Sequence, residues 1–401
     1  MDGRRNIIMA TGVPSGQSRK KNMDFEISYK GKKNESEIIN QSAKHLKENR
    51  HTKFFSDHKS NGEVIFGDNI DVLRSMLQNG LKETIDLVYI DPPYATNSNF
   101  LTKDQKLAYT DTLSGAEFIE FIRERLILLR ELLKPTGNIF VHMDEKMAFP
   151  IKIIMDEVFG ANNFHNWITR KKSNPKNTVT KKFGDVSDYI MFYSKSKNYI
   201  FNKQYTPWTE ETSSKEYPYT DEKGRKFKKV PIHAPGTRNG KTGETWRGIL
   251  PPKGKHWQYT PEKLEELDKE GKIYWSANGN PRKKLYLNES KGIGLQDILL
   301  EYRDANNQNF EVTGYPTEKN VKLIELLIES TTKKGDIVLD AFAGSGTTAQ
   351  AAMNTGRDWI AIDNSLESIK TINKRILKIK QSKEDELFSI NEVSVKFKEL
   401  E

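Results

Sequence analysis

One short stretch constrains the fold of this chain more than any other. Residues 85–90 (IDLVYI) form an apolar run typical of a buried strand, and Asp91-Pro92-Pro93-Tyr94 ends it abruptly. Two consecutive prolines remove two backbone N–H donors, so neither a helix nor a sheet ladder continues through them. The residue before a proline is also held extended. The sequence therefore predicts a rigid corner at the carboxyl end of a strand, the edge where open α/β sheets bind ligands.

The groups at this corner suit chemistry on an amino group. An exocyclic amine of a nucleobase is a weak nucleophile because its lone pair is delocalised into the ring. The Asp91 carboxylate and the Pro92 carbonyl could each accept one amine N–H. Tyr94 could stack on the base, a contact worth roughly 1–3 kcal/mol. The same residues also fit a plain proline-rich turn with a buried tyrosine, so the tetrapeptide alone leaves both interpretations open.

Composition excludes several classes of protein. The chain has 401 residues, which predicts two or three lobes, and it contains no apolar run of membrane-spanning length. It has no cysteine, and its seven histidines show neither H-x-H nor H-x-x-x-H spacing. We therefore expect no disulfide, no metal and no membrane span. The basic first 22 residues lack the apolar core of a secretory signal, so a cytosolic protein is expected.

The net charge of +9 is unevenly distributed along the chain. Residues 1–60 hold 13 basic and 7 acidic side chains, and residues 165–310 hold 28 and 17, whereas the rest holds 23 and 31. Five of the six tryptophans also fall within 165–310, among clusters of lysine and arginine. Concentrated positive charge with interleaved aromatics indicates a nucleic-acid partner, although most of these tryptophans individually suit the core of a small lobe.

Apolar periodicity predicts two α/β segments on either side of the basic stretch. The first has strands at 63–67, 85–90 and 138–144, with helices from Asn69 to Gly80, from a Ser114–Glu117 capping box onward, and at 149–159. The second has a helix at 318–331 capped by Thr317, strands at 335–340 and 358–363, and a final helix to about residue 381. The last twenty residues suggest an edge strand.

A second motif lies in the later segment. Gly344 and Gly346 stand on a strand-to-helix turn, 342–348 (FAGSGTT), where glycine lets the backbone approach a ligand. Asp363 follows 19 residues after Gly344 at the end of the next strand, the place from which a carboxylate reaches ribose hydroxyls in nucleotide-binding sheets. The third glycine of a dinucleotide loop is missing, so this motif indicates a nucleotide-like ligand only through the combination of its parts.

DPPY together with FAGSGTT resembles the amino-methyltransferases of DNA that use S-adenosylmethionine. The order of the two motifs, with a basic stretch between them, resembles the β class of adenine-N6 methyltransferases. Further matching text includes NIFVHMDE, GKHWQYT and YPTEKN, and the resemblance covers about 60–200 and 245–382. It is similar to modification subunits of type III restriction systems and to type II enzymes. The resemblance implies an α/β fold: a circularly permuted class I methyltransferase (Rossmann-like) sheet with an inserted target-recognition region.

The resemblance also implies roles for individual residues. Four would engage a flipped adenine: Asp91, Pro92, Pro93 and Tyr94. The positions implied to bind the cofactor are Asp68, Asp91, Thr317, Lys319, Asp340, Phe342, Ala343, Gly344, Ser345, Gly346, Thr347, Thr348 and Asp363. Asp340 would lie near the methionine amino group, Asp363 would hold the ribose, and Asp68 would approach the adenine end. Ala341 and Asn320 depart from the family, which often has proline at both places.

The implied organisation has five parts. They are a basic arm at 1–60, a catalytic half at 61–164, a target-recognition insertion at 165–310, a cofactor-binding half at 311–382 and a tail at 383–401. The arm is expected to be loosely ordered unless bound, with one weak helical stretch around 35–49.

The implied function is methylation of adenine N6 in duplex DNA by base flipping, within a restriction-modification system in the bacterial cytosol, at the nucleoid. Duplex DNA is the expected partner, and a homodimer and a restriction subunit are left open. The alternatives are an RNA, cytosine-N4 or protein-amide methyltransferase, or a non-enzymatic DNA-binding subunit. Asp91 favours adenine, since cytosine-N4 enzymes usually carry serine there, and the basic insertion argues against a protein substrate.

Overall fold

The computed structural model describes residues 27–43, 46–56, 61–93, 98–101, 107–111, 115–175, 179–304, 318–384 and 391–400. They form two units. The first contains the chain up to Asn202 and from Gln296 onward, and the second is Lys203–Leu295.

The strands are numbered along the chain. They are β1 (Leu46–Ser56), β2 (Gly62–Phe66), β3 (Ile85–Ile90), β4 (Ser98–Leu101), β5 (Leu107–Asp111), β6 (Leu133–Met143), β7 (Phe164–Lys171), β8 (Ser187–Ser194), β9 (Tyr205–Thr206), β10 (Tyr219–Thr220), β11 (Lys226–Pro231), β12 (His233–Pro235), β13 (Lys255–Trp257), β14 (Ile273–Trp275), β15 (Pro281–Tyr286), β16 (Ile293–Gly294), β17 (Ile298–Leu299), β18 (Ile337–Asp340), β19 (Asp358–Asp363) and β20 (Asn391–Leu400).

The helices are α1 (Glu35–Asn40), α2 (Asn69–Gln78), α3 (Gly115–Leu132), α4 (Ala148–Met155), α5 (Glu210–Glu216), α6 (Pro261–Lys269), α7 (Val321–Thr331), α8 (Thr347–Thr355) and α9 (Leu366–Glu384). A π-helical turn, Asp156–Gly160, follows α4, and short 3-10 turns lie at Ala161–Asn163, Lys241–Gly243 and Leu287–Glu289.

The first unit is built on a ten-stranded sheet. The strand order is β1-β20-β2-β19-β18-β3-β6-β8-β7-β17. In this spatial order, the six neighbouring strands β20-β2-β19-β18-β3-β6 pair in parallel, whereas β8 is antiparallel to both β6 and β7. Because parallel strands need covered faces, every residue of β3 is buried. Leu126 and Leu129 of α3 belong to the same apolar cluster as Val88 of β3.

The topology places the two sequence motifs side by side. β18 lies between β19 and β3 in the sheet, although β3 (Ile85–Ile90) comes far earlier in the chain than β18 (Ile337–Asp340). The carboxyl ends of these strands therefore meet at one edge, below called the catalytic edge. The predicted α/β fold with a largely parallel sheet is confirmed.

The N-terminal segment is more ordered than the sequence predicts. Helix α1 ends at Asn40, so the helical stretch predicted to residue 49 is wrong, and 46–56 form β1, paired with β20. Ile38 is buried in the main core. The Lys33 N–H donates to Glu120 at 3.0 Å, and Arg123 donates to the Lys33 carbonyl at 3.1 Å.

The predicted insertion at 165–310 is larger than the separate unit. Strands β7 and β8, and β17 beyond the second unit, pair within the main sheet. Helical periodicity fades after residue 165 because the chain here forms antiparallel strands at the border of the sheet. The second unit, Lys203–Leu295, begins and ends inside the predicted range.

Smaller differences concern element ends. Asn320, not Thr317, caps α7, since its side chain accepts from the Lys322 N–H at 2.9 Å. Strand β20 pairs with β1 on one side and β2 on the other, so it is not an edge strand. The predicted roles of Tyr94, Ser114 and Thr317 fall outside the described residues.

The second unit has its own small core. Its largest sheet has the order β10-β11-β15-β14. Trp246 and Trp257 are buried with Ile232, Leu264 and Ile273, as expected for tryptophans that serve as core. The unit carries 19 basic and 12 acidic side chains, a net charge of +7.

Two further findings concern the described part of the chain. None of its helices has the length and apolar character needed to cross a membrane. Among these same residues, His, Asp and Glu form no group of three or more suited to holding a metal ion.

Candidate active site

The ends of β3 and β18 form the centre of the candidate site. Val338 of β18 lies opposite Leu87 of β3 in parallel register. Asp91, which follows β3, and Asp340, the last residue of β18, therefore share the catalytic edge. The Nζ atom of Lys319 lies 2.6 Å from Oδ2 of Asp91. Because both side chains are largely buried, water screens this ion pair only weakly.

The proline corner has the form that the sequence predicts. The Asp91 side chain is 17% exposed, Pro92 is buried and Pro93 is half-buried. Since the prolines donate no backbone hydrogen bond, β3 ends at Ile90 and the Asp91 carboxylate stands at its tip. The stacking role of Tyr94 stays a prediction.

The glycine loop is held by the carboxylate of Asp363. Oδ2 of Asp363 accepts the Gly344 N–H at 2.8 Å, and Oδ1 accepts the Ser365 N–H at 2.8 Å. Ser368 donates to the Gly344 carbonyl at 2.6 Å. Burial raises the pKa of Asp363 above its usual range. This carboxylate therefore organises the loop from the protein side, in addition to its predicted role at the ribose.

Gly346 is required by the protein's own backbone and packing. Its φ is +77°, a left-handed conformation that glycine adopts without strain, and it precedes α8. A Cβ atom there would lie 2.8 Å from Cγ1 of Ile372 on α9. A side chain at 346 would therefore meet α9, whereas the sequence alone suggested only the space of a ligand.

Asp340 is a buried carboxyl group inside the loop. Its Oδ1 accepts the Phe342 N–H at 2.9 Å and its Oδ2 accepts the Thr348 hydroxyl at 2.5 Å. Burial, reinforced by the nearby carboxylates of Asp91 and Asp363, raises the pKa of Asp340 to about 7. The site thus gathers carboxyl groups where burial makes their ionisation costly.

Asp68 lies at the same edge, just beyond β2. Its side chain caps α2 by accepting the Ile70 N–H at 3.1 Å, and it also accepts from Nη2 of Arg125 at 3.0 Å. About half of the Asp68 side chain is exposed. Gly67 donates to the Asp363 carbonyl at 3.0 Å, so β2 brings Asp68 beside the strand that ends in Asp363.

Comparison with known proteins decides the family. Residues 85–374 match the family described as DNA methylase (N6_N4_Mtase), a range that includes both motifs and the ion pair between them. The chain belongs to this family. The family predicted from the sequence is confirmed, and this methylase is a DNA methyltransferase with S-adenosylmethionine as methyl donor.

Individual relatives agree with this assignment. The chain is 45% identical over 355 residues to the type II methyltransferase M.EcaI of Enterobacter cloacae, covering 87% of this chain and 77% of the relative. It is 28% identical to the type III restriction-modification enzyme StyLTI Mod subunit of Salmonella typhimurium, covering 76% of this chain and 51% of that one. The chain thus spans about half of the StyLTI subunit. The solved M1.HpyAVI–SAM complex is 19% identical, covering 79% of this chain and 98% of that one, with a TM-score of 0.44.

The residues of the methylase fit this cofactor. S-adenosylmethionine carries an ammonium and a sulfonium, both cationic. Asp340 and Asp363 are carboxyl groups with raised pKa values beside a glycine turn, so a cation at this edge would relieve the cost of ionising them. When bound, the cofactor supplies an activated methyl group, and Asp340, Asp363 and the loop 342–348 would hold it.

The other predicted loop residues are brought together at the same turn. Phe342 packs on Phe121 of α3, with ring centroids 6.1 Å apart. The Ala343 N–H donates to Ile362, and the hydroxyls of Ser345 and Thr347 lie 3.0 Å apart. The Thr348 hydroxyl donates its hydrogen bond to Asp340. The hydroxyls of Ser345, Thr347 and Thr348 thus have protein partners and shape the loop from within.

The sequence did not identify two arginines that brace the loop. Arg125 on α3 donates to Oδ1 of Asn69 at 2.5 Å, and Asn69 donates to the Ala341 carbonyl at 2.7 Å. Arg375 on α9 donates to Gln350 at 2.5 Å, lies 3.3 Å from the Ser345 hydroxyl and pairs with Glu318.

Both arginines lie on apolar faces of their helices. Arg125 lies between Phe121 and Leu129, and Arg375 lies between Ile372 and Ile376. In the sequence, each arginine interrupts a row of apolar residues at helical spacing. This pattern could have indicated that both side chains are buried and have partners.

Proposed function

We propose that this methylase transfers a methyl group to N6 of adenine at specific sites in duplex DNA. The observation that carries the proposal is the Asp91 carboxylate, fixed at the catalytic edge by Pro92, paired with Lys319 and next to the strand that bears Asp340 and the glycine loop. An acceptor beside a cofactor loop is what a weakly nucleophilic amine requires.

The reaction follows from these positions. The target amine donates its N–H groups to Asp91 and to the Pro92 carbonyl, which localises the nitrogen lone pair. The cofactor that Asp340, Asp363 and the loop 342–348 would hold would supply the methyl group to N6 and keep the electron pair of the broken carbon–sulfur bond. The amine then loses one proton along its hydrogen bond to Asp91. Lys319, 2.6 Å from the carboxylate, orients it before the base arrives, so the chain supplies alignment and exclusion of water.

Adenine is favoured over the other amino groups by the residue at position 91. An aspartate there resembles the adenine enzymes, whereas cytosine-N4 enzymes usually carry serine. A non-enzymatic relict would be expected to have lost Asp91 or a loop glycine, and both remain. A base inside a duplex cannot reach the methyl donor, so the proposal includes flipping of the target adenine.

The second unit supports a DNA substrate through one face of its sheet. Lys229 of β11 lies directly opposite Lys284 of β15, and its Nζ is 3.6 Å from the ring centroids of both Tyr219 and Tyr274. Two lysines opposite each other repel, which costs stability unless an anion lies between them. Phosphates and bases supply an anion and stacking partners. We therefore assign target recognition to residues 203–295.

The setting of the reaction is also part of the proposal. A relative named as a type II methyltransferase and another named as a type III Mod subunit support the proposal that this chain works in a restriction-modification system. A homodimer, a separate restriction subunit and a location at the nucleoid in the bacterial cytosol stay predictions.

Methyl transfer measured with tritium-labelled S-adenosylmethionine tests the proposal. We expect incorporation into duplex DNA and none into RNA of the same sequence, because the second unit is assigned to DNA recognition. Single-molecule sequencing of the methylated DNA should then give one short motif containing the modified adenine. Incorporation into RNA alone, or none into either, would overturn the proposal.

A further inference from the structure

Phe183 is exposed to an unusual degree. Its side chain is 99% exposed, more than any other large apolar side chain of the described residues. A single exposed apolar residue on a protein surface is ordinary and needs no function. Its position and its neighbours distinguish Phe183 from that case.

The strand register places Phe183 at the catalytic edge. Met143, near the end of β6, lies opposite Tyr189 of β8, and Lys171, the last residue of β7, lies opposite Ser187, the first of β8. The described residues between β7 and β8, 172–175 and 179–186, therefore lie at the edge where β3 and β6 end. Phe183 is one of these residues, so it lies on the same side of the sheet as Asp91.

Basic residues precede Phe183, and hydrogen bonds hold the residues that directly follow β7. Lys181 and Lys182 precede Phe183 and are exposed. After β7, Arg303 donates to the Asn174 side chain at 2.8 Å, and the Asp304 N–H donates to the Lys172 carbonyl at 3.2 Å. An exposed apolar ring thus follows two exposed lysines, and the first residues after β7 are hydrogen-bonded to Arg303 and Asp304.

We propose that Phe183 enters the DNA duplex at the target base pair and occupies the space that the flipped adenine leaves. This inference rests on the proposed function. Extruding a base breaks its stacking, and a phenyl ring between the neighbouring bases replaces part of that stacking, as apolar wedges do in proteins that unstack DNA. Lys181 and Lys182 would hold the adjacent phosphates. Phe183 is in this sense a positioning residue, since it acts through the DNA and does not touch the reacting atoms.

The experiment uses the full-length protein and a duplex with the motif that sequencing identifies. Flipping is followed on a copy of this duplex in which 2-aminopurine, whose fluorescence rises when it leaves the stack, replaces the target adenine. Methylation is measured on the unmodified duplex, because 2-aminopurine has no N6 amine. Phe183→Ala should lose most of this rise and lower kcat/KM for methylation on the order of ten- to a hundredfold, the range that base–aromatic stacking contributes. Its melting temperature should equal that of the wild type, because the side chain is exposed.

Two variants and one substrate make the test specific. Phe183→Trp should keep flipping, since it keeps an aromatic wedge. Phe201→Ala, which removes an exposed phenyl just beyond the opposite end of β8, should leave flipping unchanged. A duplex with an abasic site opposite the target lowers the cost of flipping, so it should restore most of the rate of Phe183→Ala.

The outcomes separate this inference from the proposed function. If Phe183→Ala methylates DNA at the wild-type rate and shows the wild-type fluorescence rise, the proposed role of Phe183 is wrong and the proposed function is unaffected. A defect that the abasic substrate does not rescue would also overturn that role, because Phe183 would then act in general DNA or protein binding. No methylation of DNA by the wild type would overturn both.

Discussion

At the scale of single residues, the site combines three carboxyl groups with one well-placed cation. Asp91, Asp340 and Asp363 share the catalytic edge, and Lys319 lies 2.6 Å from Asp91. The sequence predicted Asp91 and Asp363 from their positions at strand ends, and the resemblance to the methyltransferase family implied Asp340 and Lys319. The sequence could not predict the ion pair, since Lys319 and Asp91 are more than 200 residues apart in the chain and only the sheet order brings them together.

Asp340 gives a prediction about pH. Its pKa is raised to about 7, so the group is neutral below that pH and ionised above it. A cofactor ammonium would favour the ionised form, and affinity for S-adenosylhomocysteine, which keeps that ammonium, should therefore fall about tenfold per pH unit below 7. Calorimetry between pH 5.5 and 8, in buffers with different ionisation enthalpies, should also show proton release on binding near pH 6. Asp340→Asn should remove this dependence, and a flat profile in the wild type would contradict the assignment.

The same shift affects stability with the opposite sign. Between the ordinary carboxyl pKa of 3.8 and about 7, the folded chain binds the Asp340 proton more tightly than the unfolded chain does. This contribution therefore favours folding at low pH and disappears as the pH rises through about 7. In the absence of cofactor, Asp340→Asn should gain stability relative to the wild type at pH 8.

At the scale of elements, the sequence predicted helices and strands most accurately where buried apolar residues recur at regular spacing. Strand β3 and helix α3 were recognised because their apolar residues follow the spacing of a buried strand and a packed helix. Strand β1 was not recognised because residues 46–56 (LKENRHTKFFS) are mostly polar, and their partner is β20 at the far end of the chain. Local pattern cannot show a pairing of such long range.

The turn into α8 gives a prediction at this scale. Gly346→Ala should destabilise the fold through left-handed strain, about 1–2 kcal/mol, and through overpacking against Ile372, about 1–3 kcal/mol. Gly335→Ala is the matched control, because φ is +83° there but no atom lies within 4 Å of the added Cβ. The difference between the two in urea unfolding isolates the clash with α9. Equal destabilisation by both would show that α9 does not constrain the loop.

At the scale of the whole molecule, two predicted regions changed in extent. The sequence treated 1–60 as one basic arm that is loosely ordered unless bound, but Lys32 lies 3.0 Å from Glu157, and Lys33 pairs with Glu124. These lysines neutralise carboxylates of the same protein, so less of the arm's charge is available to phosphates. Residues 1–26 hold only five basic and three acidic side chains. Within the predicted insertion at 165–310, residues 203–295 form a separate unit.

Two truncations test this revised role of the N-terminal segment. Deleting residues 1–26 removes five basic and three acidic side chains. If those residues bind DNA, the log–log salt slope should fall by about 0.9 for each phosphate that the shortened chain no longer neutralises. Deleting 1–43 also removes Ile38 from the core and the hydrogen bond from the Lys33 N–H to Glu120. This deletion should therefore lower the melting temperature by several degrees. A 1–43 deletion as stable as the wild type would show that this segment does not support α3.

The identity of the methylated nucleoside tests the central claim most directly. Duplex DNA is incubated with S-adenosylmethionine and either the wild type or Asp91→Asn, which keeps an acceptor for Lys319, and is then digested and analysed by mass spectrometry. We predict N6-methyldeoxyadenosine with the wild type. We predict at least a hundredfold less with Asp91→Asn, with cofactor affinity within a few-fold because the change affects the chemical step. N4-methyldeoxycytidine as the product, or full activity in Asp91→Asn, would contradict the account.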